Sequence, residues 1–351
     1  MEGSPPPASG DTAQAMRDRI EARNNASRKR ASQARLYTST PPTTTPASST
    51  QPLAPSHSIS KWNRSPAATS DVLDSVTLDK LFISVASATN VGKRSYMEDR
   101  VAAVTFDHPT TLEPLAFVAV FDGHGGTHCA NFLQHGLHTH VKHHLAAHRR
   151  SFHDAPHESL ESAFQLACRD ADNAFLGSHL ADDSGSCAVF ALVGKDKWVV
   201  GNVGDSQAIL SRYGRAIDLC VAHTPQHPDE RARILAANGQ IVQDRYIFGY
   251  LGVSRSFGDR FVKVERPVVI TTPDVVSGGH RHNHPGDEFL LLACDGLFEV
   301  FTPQEAVDFV THHKTVNQMA PQAICDLLVR TAIENGSQDN VSVVLVMLQS
   351  A

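Results

Sequence analysis

The chain has 351 residues, of which 31 are lysine or arginine and 37 are aspartate or glutamate, so its formal net charge is -6. This acidic balance argues against a strongly basic nucleic-acid-binding protein, and no apolar run approaches the ~20 residues that a membrane-spanning helix needs. The six cysteines form no Cys-x-x-Cys pair, and no apolar signal region opens the sequence. We therefore expect reduced thiols and a cytoplasmic location, with the nucleus as the alternative. We also expect a monomer with neither nucleic acid nor membrane as a partner.

Residues 1–78 differ in composition from the rest of the chain. They are rich in Ser, Thr, Pro and Ala and carry nine Lys/Arg against six Asp/Glu. Because so little apolar surface cannot offset the entropy of ordering, this composition predicts a disordered tail over 1–78 and a folded domain over 79–351. A helix from Asp11 to Leu36 is the one alternative structure within the tail.

Apolar runs of strand length recur from Leu81 onward. They are Leu81–Ala86, Val101–Phe106, Leu115–Phe121, Cys187–Val193, Trp198–Val203, Ala208–Arg212, Val268–Val276, Glu288–Cys294 and Val341–Leu348. Between residues 187 and 221 only short turns separate four strand-like segments, and strands joined so tightly must be antiparallel.

Helical patterns stand between these strands. We predict helices over Gly126–His148, Pro156–Leu176 and Pro228–Ala237, a helix that starts at Thr302, and a last one over Pro321–Glu334. The segment Thr302-Pro303-Gln304-Glu305 combines a capping box with proline at the first helical position. Strands in blocks and helices in pairs indicate an α+β sandwich rather than alternating βαβ units.

Acidic residues stand where the predicted strands begin or end. They are Glu98, Asp99, Asp122, Asp205, Asp295 and Asp339. A single such aspartate is most often a turn residue. Two carboxylates ~4 Å apart at an effective dielectric of ~20 repel by roughly 4 kcal/mol, so several at one end of a sheet need cations or raised pKa values. Ligands that are all oxygen suit Mg²⁺ or Mn²⁺ and suit zinc poorly.

Several chemistries lack their motifs in this sequence. It has no Gly-x-x-x-x-Gly-Lys-Ser/Thr loop for nucleotides and no Gly-x-Gly-x-x-Gly fingerprint for dinucleotides. Gly-x-Ser-x-Gly, the nucleophile turn of α/β-hydrolases, is also absent. The segment Asp122-Gly123-His124 has the Asp-x-His form of dinuclear phosphoesterases, which is a weak signal alone.

Seven motifs, in order, resemble those of the metal-dependent Ser/Thr protein phosphatases of type 2C, over about residues 83 to 348. They are Arg94-Ser95-Tyr96-Met97-Glu98-Asp99, Phe121-Asp122-Gly123-His124-Gly125-Gly126, Ser184-Gly185-Ser186, Asn202-Val203-Gly204-Asp205-Ser206, Leu251-Gly252-Val253-Ser254-Arg255-Ser256-Phe257-Gly258-Asp259, Ala293-Cys294-Asp295-Gly296-Leu297-Phe298 and Asp339-Asn340-Val341-Ser342. The resemblance implies that 79–351 is a catalytic domain. It also implies a four-layer α-β-β-α sandwich, in which helix pairs flank two central antiparallel sheets.

The resemblance further implies two metal ions, Mg²⁺ or Mn²⁺, at one end of the sandwich. Asp122 would bridge both ions. Asp295 and Asp339 would complete one site, and Glu98 and the Gly123 carbonyl would belong to the other.

The remaining roles also follow from the resemblance. Asp99 would orient metal-bound water, Arg94 would bind the substrate phosphate, and His124 would be the general acid at the leaving oxygen. A weaker third metal would use Asp205 and Asp295, with Glu299 as a further candidate ligand. Glu299 stands where the family usually has aspartate, which puts the geometry of that third site in question.

Two further departures lie outside the implied ligands. Ala222-His223-Thr224-Pro225 replaces the usual Asp-His-x-Pro, and Asn238-Gly239 replaces a usual Gly-Gly. We expect them to change loop packing and to leave the chemistry intact.

The predicted reaction is hydrolysis of phosphoserine and phosphothreonine in phosphoprotein substrates. A metal-bridging hydroxide would attack in line, without a phosphoenzyme. Phosphate-monoester hydrolysis is among the slowest uncatalysed reactions, and two ions roughly 3.5–4 Å apart can supply hydroxide near neutral pH and stabilise both the attacking and leaving oxygens. Two alternatives stay open: a catalytically dead, phosphatase-like scaffold and a phosphoesterase for small molecules.

Histidines and cysteines outside these motifs have simpler interpretations. Six histidines crowd one predicted helix, at positions 135, 138, 140, 143, 144 and 148, and three stand in a loop, at 280, 282 and 284. Without carboxylates or cysteines nearby in the sequence, we interpret both groups as solvated. Cys129, Cys168, Cys187 and Cys294 are interpreted as core residues.

Overall fold

A computed structural model describes residues 75–147, 150–263, 267–279 and 286–348. All of these described residues belong to one compact unit of the chain. The predicted disorder of residues 1–74, the helix proposed within them and the loop histidines 280, 282 and 284 lie outside the described residues. No helix in the described ranges has the length and apolarity to cross a membrane.

The helices and strands alternate irregularly along the chain. In chain order they are α1 (Ser75–Leu81), β1 (Ile83–Asn90), β2 (Arg100–Asp107), β3 (Pro114–His124), α2 (His128–Leu145), α3 (His157–Leu176), β4 (Gly185–Val193), β5 (Lys197–Val203), β6 (Gln207–Arg212), β7 (Arg215–Asp218), α4 (Pro228–Ala236), β8 (Ile241–Val242), β9 (Tyr246–Ile247), β10 (Phe257–Gly258), α5 (Arg260–Lys263), β11 (Asp274–Gly279), β12 (Asp287–Ala293), α6 (Asp295–Phe298), α7 (Pro303–Thr315), α8 (Pro321–Glu334) and β13 (Val341–Leu348).

Two antiparallel sheets form the centre of the domain. The first has the strand order β1-β13-β12-β6-β7, and the second has the order β11-β5-β4-β3-β2, with β10 paired to β4. The strands β8 and β9 form a separate small hairpin. The predicted α+β class with two antiparallel sheets is confirmed, whereas the four-layer order stays a prediction.

Three groups of buried apolar residues stabilise the domain. One combines the second sheet with α2 and α3, one combines inward-facing residues of both sheets, and one combines the first sheet with α7 and α8. Strand β3 contributes to two groups, because Phe117 and Phe121 face the helices whereas Val118 and Val120 face the other sheet. This alternation of side chains buries both faces of the strand.

Helix α1 spans the predicted boundary between tail and domain at residue 79. Helix α1 begins at Ser75, and Leu78 packs against the group of residues that joins the two sheets. Leu81, predicted to begin a strand, instead ends this helix and is fully buried. The folded region therefore includes four residues that the composition assigned to the tail.

The strands between residues 187 and 221 differ from the expected series of adjacent hairpins. β4 pairs with β5 and β6 with β7, as the short turns predict. However, β5 and β6 lie in different sheets, so the link between them carries the chain across the sandwich. A short link limits the distance between the ends of two strands, but it does not determine whether the two strands pair with each other.

Other predicted bounds agree with the structure to differing degrees. Pro321–Glu334 matches α8 at both ends, and the capping box of Thr302 and Glu305 is present. Within the predicted strand Val268–Val276, only the last three residues belong to β11.

The histidine-rich helix α2 is only partly solvated, contrary to the sequence interpretation. His144 Nε2 lies 2.8 Å from a carboxylate oxygen of Asp170 on α3, and the His138 ring lies against Phe117, with 6.1 Å between ring centroids. The prediction missed this because the two helices pack side by side, which sequence neighbours of α2 do not reveal. The buried positions of Cys129, Cys168, Cys187 and Cys294 are confirmed.

Candidate metal centre

Three of the predicted carboxylates come together at one end of the two sheets. Ligand oxygens of Asp122, Asp205 and Asp295 all lie within 4.8 Å of one another. Asp122 lies on β3 of the second sheet, and Asp295 begins α6, two residues after the last residue of β12 in the first sheet. Asp205 lies in the link between β5 and β6. The crossing of the chain between sheets, which sequence reasoning missed, is therefore what adds the third carboxylate.

Burial and mutual repulsion raise the pKa values of these three groups. Burial raises the pKa of Asp122 well above its ordinary value, and the charge of Asp295 raises it further. Burial, followed by the charge of Asp205, raises the pKa of Asp295 to about 7. The pKa of Asp205 is also raised, chiefly by burial. A divalent cation among these oxygens would compensate both effects.

Glu98 and Asp99 enter the site from the segment before β2, and both are buried. Glu98 accepts a hydrogen bond from the Gly126 backbone N–H, with 2.5 Å between N and Oε1. Asp99 is only 4% exposed, and its Oδ2 has no hydrogen-bond partner among the described residues. Burial raises the pKa of Asp99 to about 6. A buried carboxylate oxygen without a partner is costly, which indicates that it serves a ligand or its water.

Gly123 lies against the same segment. A Cβ atom built on Gly123 would stand 2.4 Å from the carbonyl oxygen of Glu98, so only glycine allows this close approach. The Gly123 backbone therefore lies next to Glu98. These are the two residues predicted to bind the same metal ion.

Arg94 and Asp339 form an ion pair at the edge of the site, with 2.5 Å between Nη2 and Oδ2. The Arg94 side chain is about half exposed. Asn340 fixes the neighbouring backbone, since its amide nitrogen donates to the carbonyls of Val91 and Tyr96, at 2.9 and 3.1 Å. The loop that carries Arg94 and the turn that carries Asp339 are therefore tied together.

His124 has a buried acidic partner that sequence reasoning gave no role. Its Nε2 lies 2.8 Å from Oδ2 of Asp259. Burial lowers the pKa of His124, but the charge and hydrogen bond of Asp259 outweigh burial, so the pKa is raised. Burial raises the pKa of Asp259, but His124 outweighs it, so this pKa is lowered. The only sequence signal for Asp259 is that it is the last residue of the motif that starts at Leu251.

Glu299, predicted to hold a third metal with Asp205, is exposed and makes a different contact. Its Oε2 accepts hydrogen bonds from the Gln338 backbone N–H, at 2.8 Å, and the Ser337 hydroxyl, at 3.2 Å. These residues directly precede Asp339. Glu299 is not among the three grouped carboxylates. Its ligand role stays a prediction, and its observed contact supports the turn that carries Asp339.

The chemistry of the donors fits a hard divalent cation. All the candidate ligand atoms are carboxylate or carbonyl oxygens, with no imidazole or thiolate among the grouped residues. Such a set suits Mg²⁺ or Mn²⁺, which bind oxygen. The raised pKa values and the unpartnered Asp99 oxygen are the features that such a cation would relieve.

Comparison with known proteins places this geometry in context. Residues 83–341 match the family model described as protein phosphatase 2C. The chain is 34% identical over 279 residues to Probable protein phosphatase 2C 22 of Arabidopsis thaliana, covering 74% of this chain and 67% of the relative. It is also 34% identical over 275 residues to Protein phosphatase 1F of Mus musculus, covering 76% of this chain and 57% of that protein. The chain thus spans about two thirds or less of these relatives' lengths.

Solved structures share the fold. The crystal structure of serine-threonine phosphatase 2C from Toxoplasma gondii superposes with a TM-score of 0.64 at 22% sequence identity, covering 76% of this chain and 95% of that one. At this identity the likeness concerns the arrangement of helices and strands.

Proposed function

The chain belongs to the protein phosphatase 2C family, and on that basis we propose that it hydrolyses phosphoserine and phosphothreonine in proteins with the help of two Mg²⁺ or Mn²⁺ ions. The observation that carries the proposal is the group formed by Asp122, Asp205 and Asp295. Three carboxylates from both sheets converge although they repel one another, which costs stability unless a cation joins them.

The residues that would hold the cations are those implied by the family motifs. Asp122 would be shared, with Asp295 and Asp339 on one side and Glu98 and the Gly123 carbonyl on the other. When bound, the cations supply a nucleophile from water near neutral pH and neutralise developing charge on the phosphate. We extend the proposal to a weaker third site at Asp205, for which Glu299 would have to leave its present hydrogen bonds.

The chain's own side chains supply the remaining functions. Arg94 lies at the rim, where a planar guanidinium can make two parallel hydrogen bonds to phosphate oxygens once a substrate competes with Asp339. The free Oδ2 of Asp99 can accept a hydrogen bond from an attacking water and so orient it. His124 donates a proton to the leaving oxygen of the serine or threonine.

The two alternative functions have less support. A dead scaffold would be expected to lack a ligand, whereas every proposed metal ligand is present in this chain. The relatives' names are those of protein phosphatases, which favours phosphoproteins over small phosphate esters as substrates. The monomeric state and the cytoplasmic or nuclear location stay predictions.

A phosphatase assay on the purified full-length protein tests the proposal. We expect hydrolysis of phosphoserine and phosphothreonine peptides with Mn²⁺ or Mg²⁺, and loss of that hydrolysis in excess EDTA. Asp122→Asn should also lose this hydrolysis. Asp107→Asn is its matched control, because Asp107 is an exposed aspartate that pairs with Pro114, at the opposite end of β3 from Asp122. Full turnover without metal, or faster turnover of small phosphates than of peptides, would contradict the proposal.

A further inference from the structure

The pair formed by His124 and Asp259 spans three neighbouring strands. In the register of the second sheet, His124 on β3 lies opposite Gly185 on β4. Gly185 in turn lies opposite Gly258 on β10, and Asp259 is the next residue. The histidine and the aspartate therefore come from strands on opposite sides of β4, and they must reach across it to meet.

Gly185 provides the space in which they meet. A Cβ atom built on Gly185 would stand 2.3 Å from Asp259 Oδ2 and 2.3 Å from His124 Nε2. Both distances are far below van der Waals contact, so any side chain at this position would push the two groups apart. The hydrogen bond between His124 and Asp259 thus depends on glycine at a third position.

Asp259 is fixed independently of His124. Its Oδ2 also accepts a hydrogen bond from the Ser256 hydroxyl, at 2.5 Å, and its backbone N–H donates to the Ser184 carbonyl, at 3.0 Å. The residue is 1% exposed and has a φ of 49°, a left-handed conformation that is uncommon outside glycine. Such a conformation persists where the surroundings impose it, and it is concentrated at functional sites.

A second buried carboxylate supports the same segment without touching the histidine. Asp172 on α3 accepts a hydrogen bond from the Gly258 backbone N–H, at 2.7 Å. It also pairs with Lys263, whose Nζ lies 2.8 Å from Asp172 Oδ2 and donates to the Ser256 carbonyl at 2.6 Å. The segment 256–263 is therefore anchored twice, and only the Asp259 anchor reaches the site.

We propose that Asp259 is a positioning residue for His124: its carboxylate accepts the hydrogen on Nε2 and leaves Nδ1 as the ring atom that donates to the leaving oxygen. The inference rests on the proposed phosphatase function. Because Nε2 is held 2.8 Å from a carboxylate that is itself immobilised, the ring cannot present Nε2 to a substrate without breaking this bond.

The step that this arrangement serves is the departure of the serine or threonine. A water oxygen bonds to phosphorus and keeps both protons on the released phosphate, while the bond between phosphorus and the serine oxygen breaks with its electron pair on that oxygen. The oxygen takes the proton from His124 Nδ1, and the imidazole becomes neutral with its Nε2 hydrogen still bonded to Asp259. Asp259 neither gains nor loses a proton in this step, so it contributes by orienting the His124 ring and by its negative charge.

The competing explanation is that Asp259 only anchors its own segment, as Asp172 does. The two explanations differ in how the loss depends on the leaving group. A serine or phenolate oxygen needs a proton as the P–O bond breaks, whereas nitrophenolate leaves readily without one. A positioned acid contributes about 10²–10⁴-fold, so losing its orientation should affect the poor leaving group selectively.

The experiment compares four single variants of the full-length protein, namely Asp259→Asn, Asp172→Asn, Gly185→Ala and His124→Ala, on phenyl phosphate and p-nitrophenyl phosphate with saturating Mn²⁺. We expect Asp259→Asn to lower kcat on phenyl phosphate by about tenfold or more relative to p-nitrophenyl phosphate, with KM little changed. Gly185→Ala should shift the ratio in the same direction. Asp172→Asn, the matched control, should lower the melting temperature and leave the ratio unchanged.

A double variant completes the test. Asp259→Asn placed in the His124→Ala protein should cause no further loss of kcat on phenyl phosphate, because the ring that Asp259 orients is absent. Equal losses on both substrates in Asp259→Asn, or an additional loss in the double variant, would overturn the inference. If the wild type hydrolyses neither phosphopeptides nor these esters, the proposed function fails instead. A selective loss in His124→Ala that is absent from Asp259→Asn overturns the positioning role alone.

Discussion

Two groups of buried residues in this domain hold carboxylates in opposite electrostatic environments. Glu230 on α4 is 3% exposed and lies among cationic and hydroxyl groups. Its oxygens lie 2.7 Å from Arg255 Nη2, 2.6 Å from Arg233 Nη2 and 2.5 Å from the Ser254 hydroxyl. Burial raises the pKa of Glu230, but these hydrogen bonds outweigh burial and lower it to about 2.

The metal centre is the opposite case. There burial and like charges act together, and the pKa of Asp295 is raised to about 7. A carboxylate compensated by the chain's own arginines serves the structure, because breaking such a pair leaves buried charge uncompensated. A group of carboxylates whose charges the chain does not compensate is a candidate binding site for a cation. The difference separates residues that maintain the fold from residues that are kept ready for a ligand.

The largest expected effect concerns activity. Asp122→Asn should lower phosphatase turnover on the order of 10³-fold, because a shared ligand loses its charge. Without added cations, the variant should melt at or above the wild-type temperature, since the amide relieves repulsion with Asp295. Steady-state kinetics and calorimetry measure both effects. Near-wild-type turnover would contradict the dinuclear mechanism.

The next largest effect concerns stability at the other group. Glu230→Gln should lower the free energy of unfolding by about 3 kcal/mol, because Arg233 loses its ion-pair partner and Arg255 keeps only Asp274. Urea denaturation measures the change. Asp229→Asn is the matched control, since Asp229 is the exposed neighbour on the same helix and its contribution at the helix N-terminus is only about 0.3–1 kcal/mol. Equal effects of the two variants would remove the distinction.

Cation binding should separate the two groups directly. Mn²⁺ at about 100 times its dissociation constant should stabilise the wild type by about 2.7 kcal/mol, measured as a rise in melting temperature. Asp295→Asn should lose most of this rise. Glu230→Gln should keep it in full, although its starting melting temperature is lower. A rise that survives in Asp295→Asn would place the bound cation elsewhere.

The smallest effect is a pH dependence in the absence of cations. Asp295 has a folded pKa of about 7 against an ordinary value of 3.8, so the folded state holds its proton more tightly and loses stability as the pH rises towards 7. The stability difference between wild type and Asp295→Asn should therefore fall by about 2 kcal/mol from pH 5 to pH 8. Chemical denaturation in EDTA at several pH values measures it.

Glu230 should behave in the opposite way. Its folded pKa of about 2 lies below the ordinary 4.5, so its contribution is present above pH 4.5 and is lost as the pH falls towards 2. Between pH 5 and pH 8 the difference between wild type and Glu230→Gln should stay constant. A change of this stability difference between pH 5 and pH 8 would mean that Arg233 and Arg255 do not compensate the charge of Glu230.

The sequence predicts the elements of the metal centre better than their supports. Asp122 and Asp295 could be found because each directly follows a buried apolar run and precedes glycine, a signal contained in adjacent residues. Asp259 could not be given a role in this way, because its partner His124 stands 135 positions away. Its function depends on the register of three strands, which local patterns do not specify.

The same reason explains the other differences. Glu230 sits in the first turn of a helix, where an acidic residue is expected for the helix dipole alone. Its two arginine partners come from positions 233 and 255, and only the folded loop brings Arg255 to it. The contact of His144 with Asp170 likewise depends on the packing of α2 against α3. Patterns in the sequence predict elements, whereas contacts between elements depend on topology.

The pairing of β1 with β13 bears on how the protein is made. Ile83 lies opposite Leu348 and Asn90 opposite Val341, so the first strand of the domain pairs with a strand made more than 250 residues later. That late strand lies inside the first sheet, between β1 and β12, and Asp339 stands two residues before its start.

A nascent chain on the ribosome consequently cannot close this sheet or complete its metal centre until residue 348 has emerged. Such a high contact order slows folding, and the waiting edges of β1 and β12 are surfaces on which other chains can pair. On the proposed function, phosphatase activity should therefore appear in one late step, after the last strand has paired.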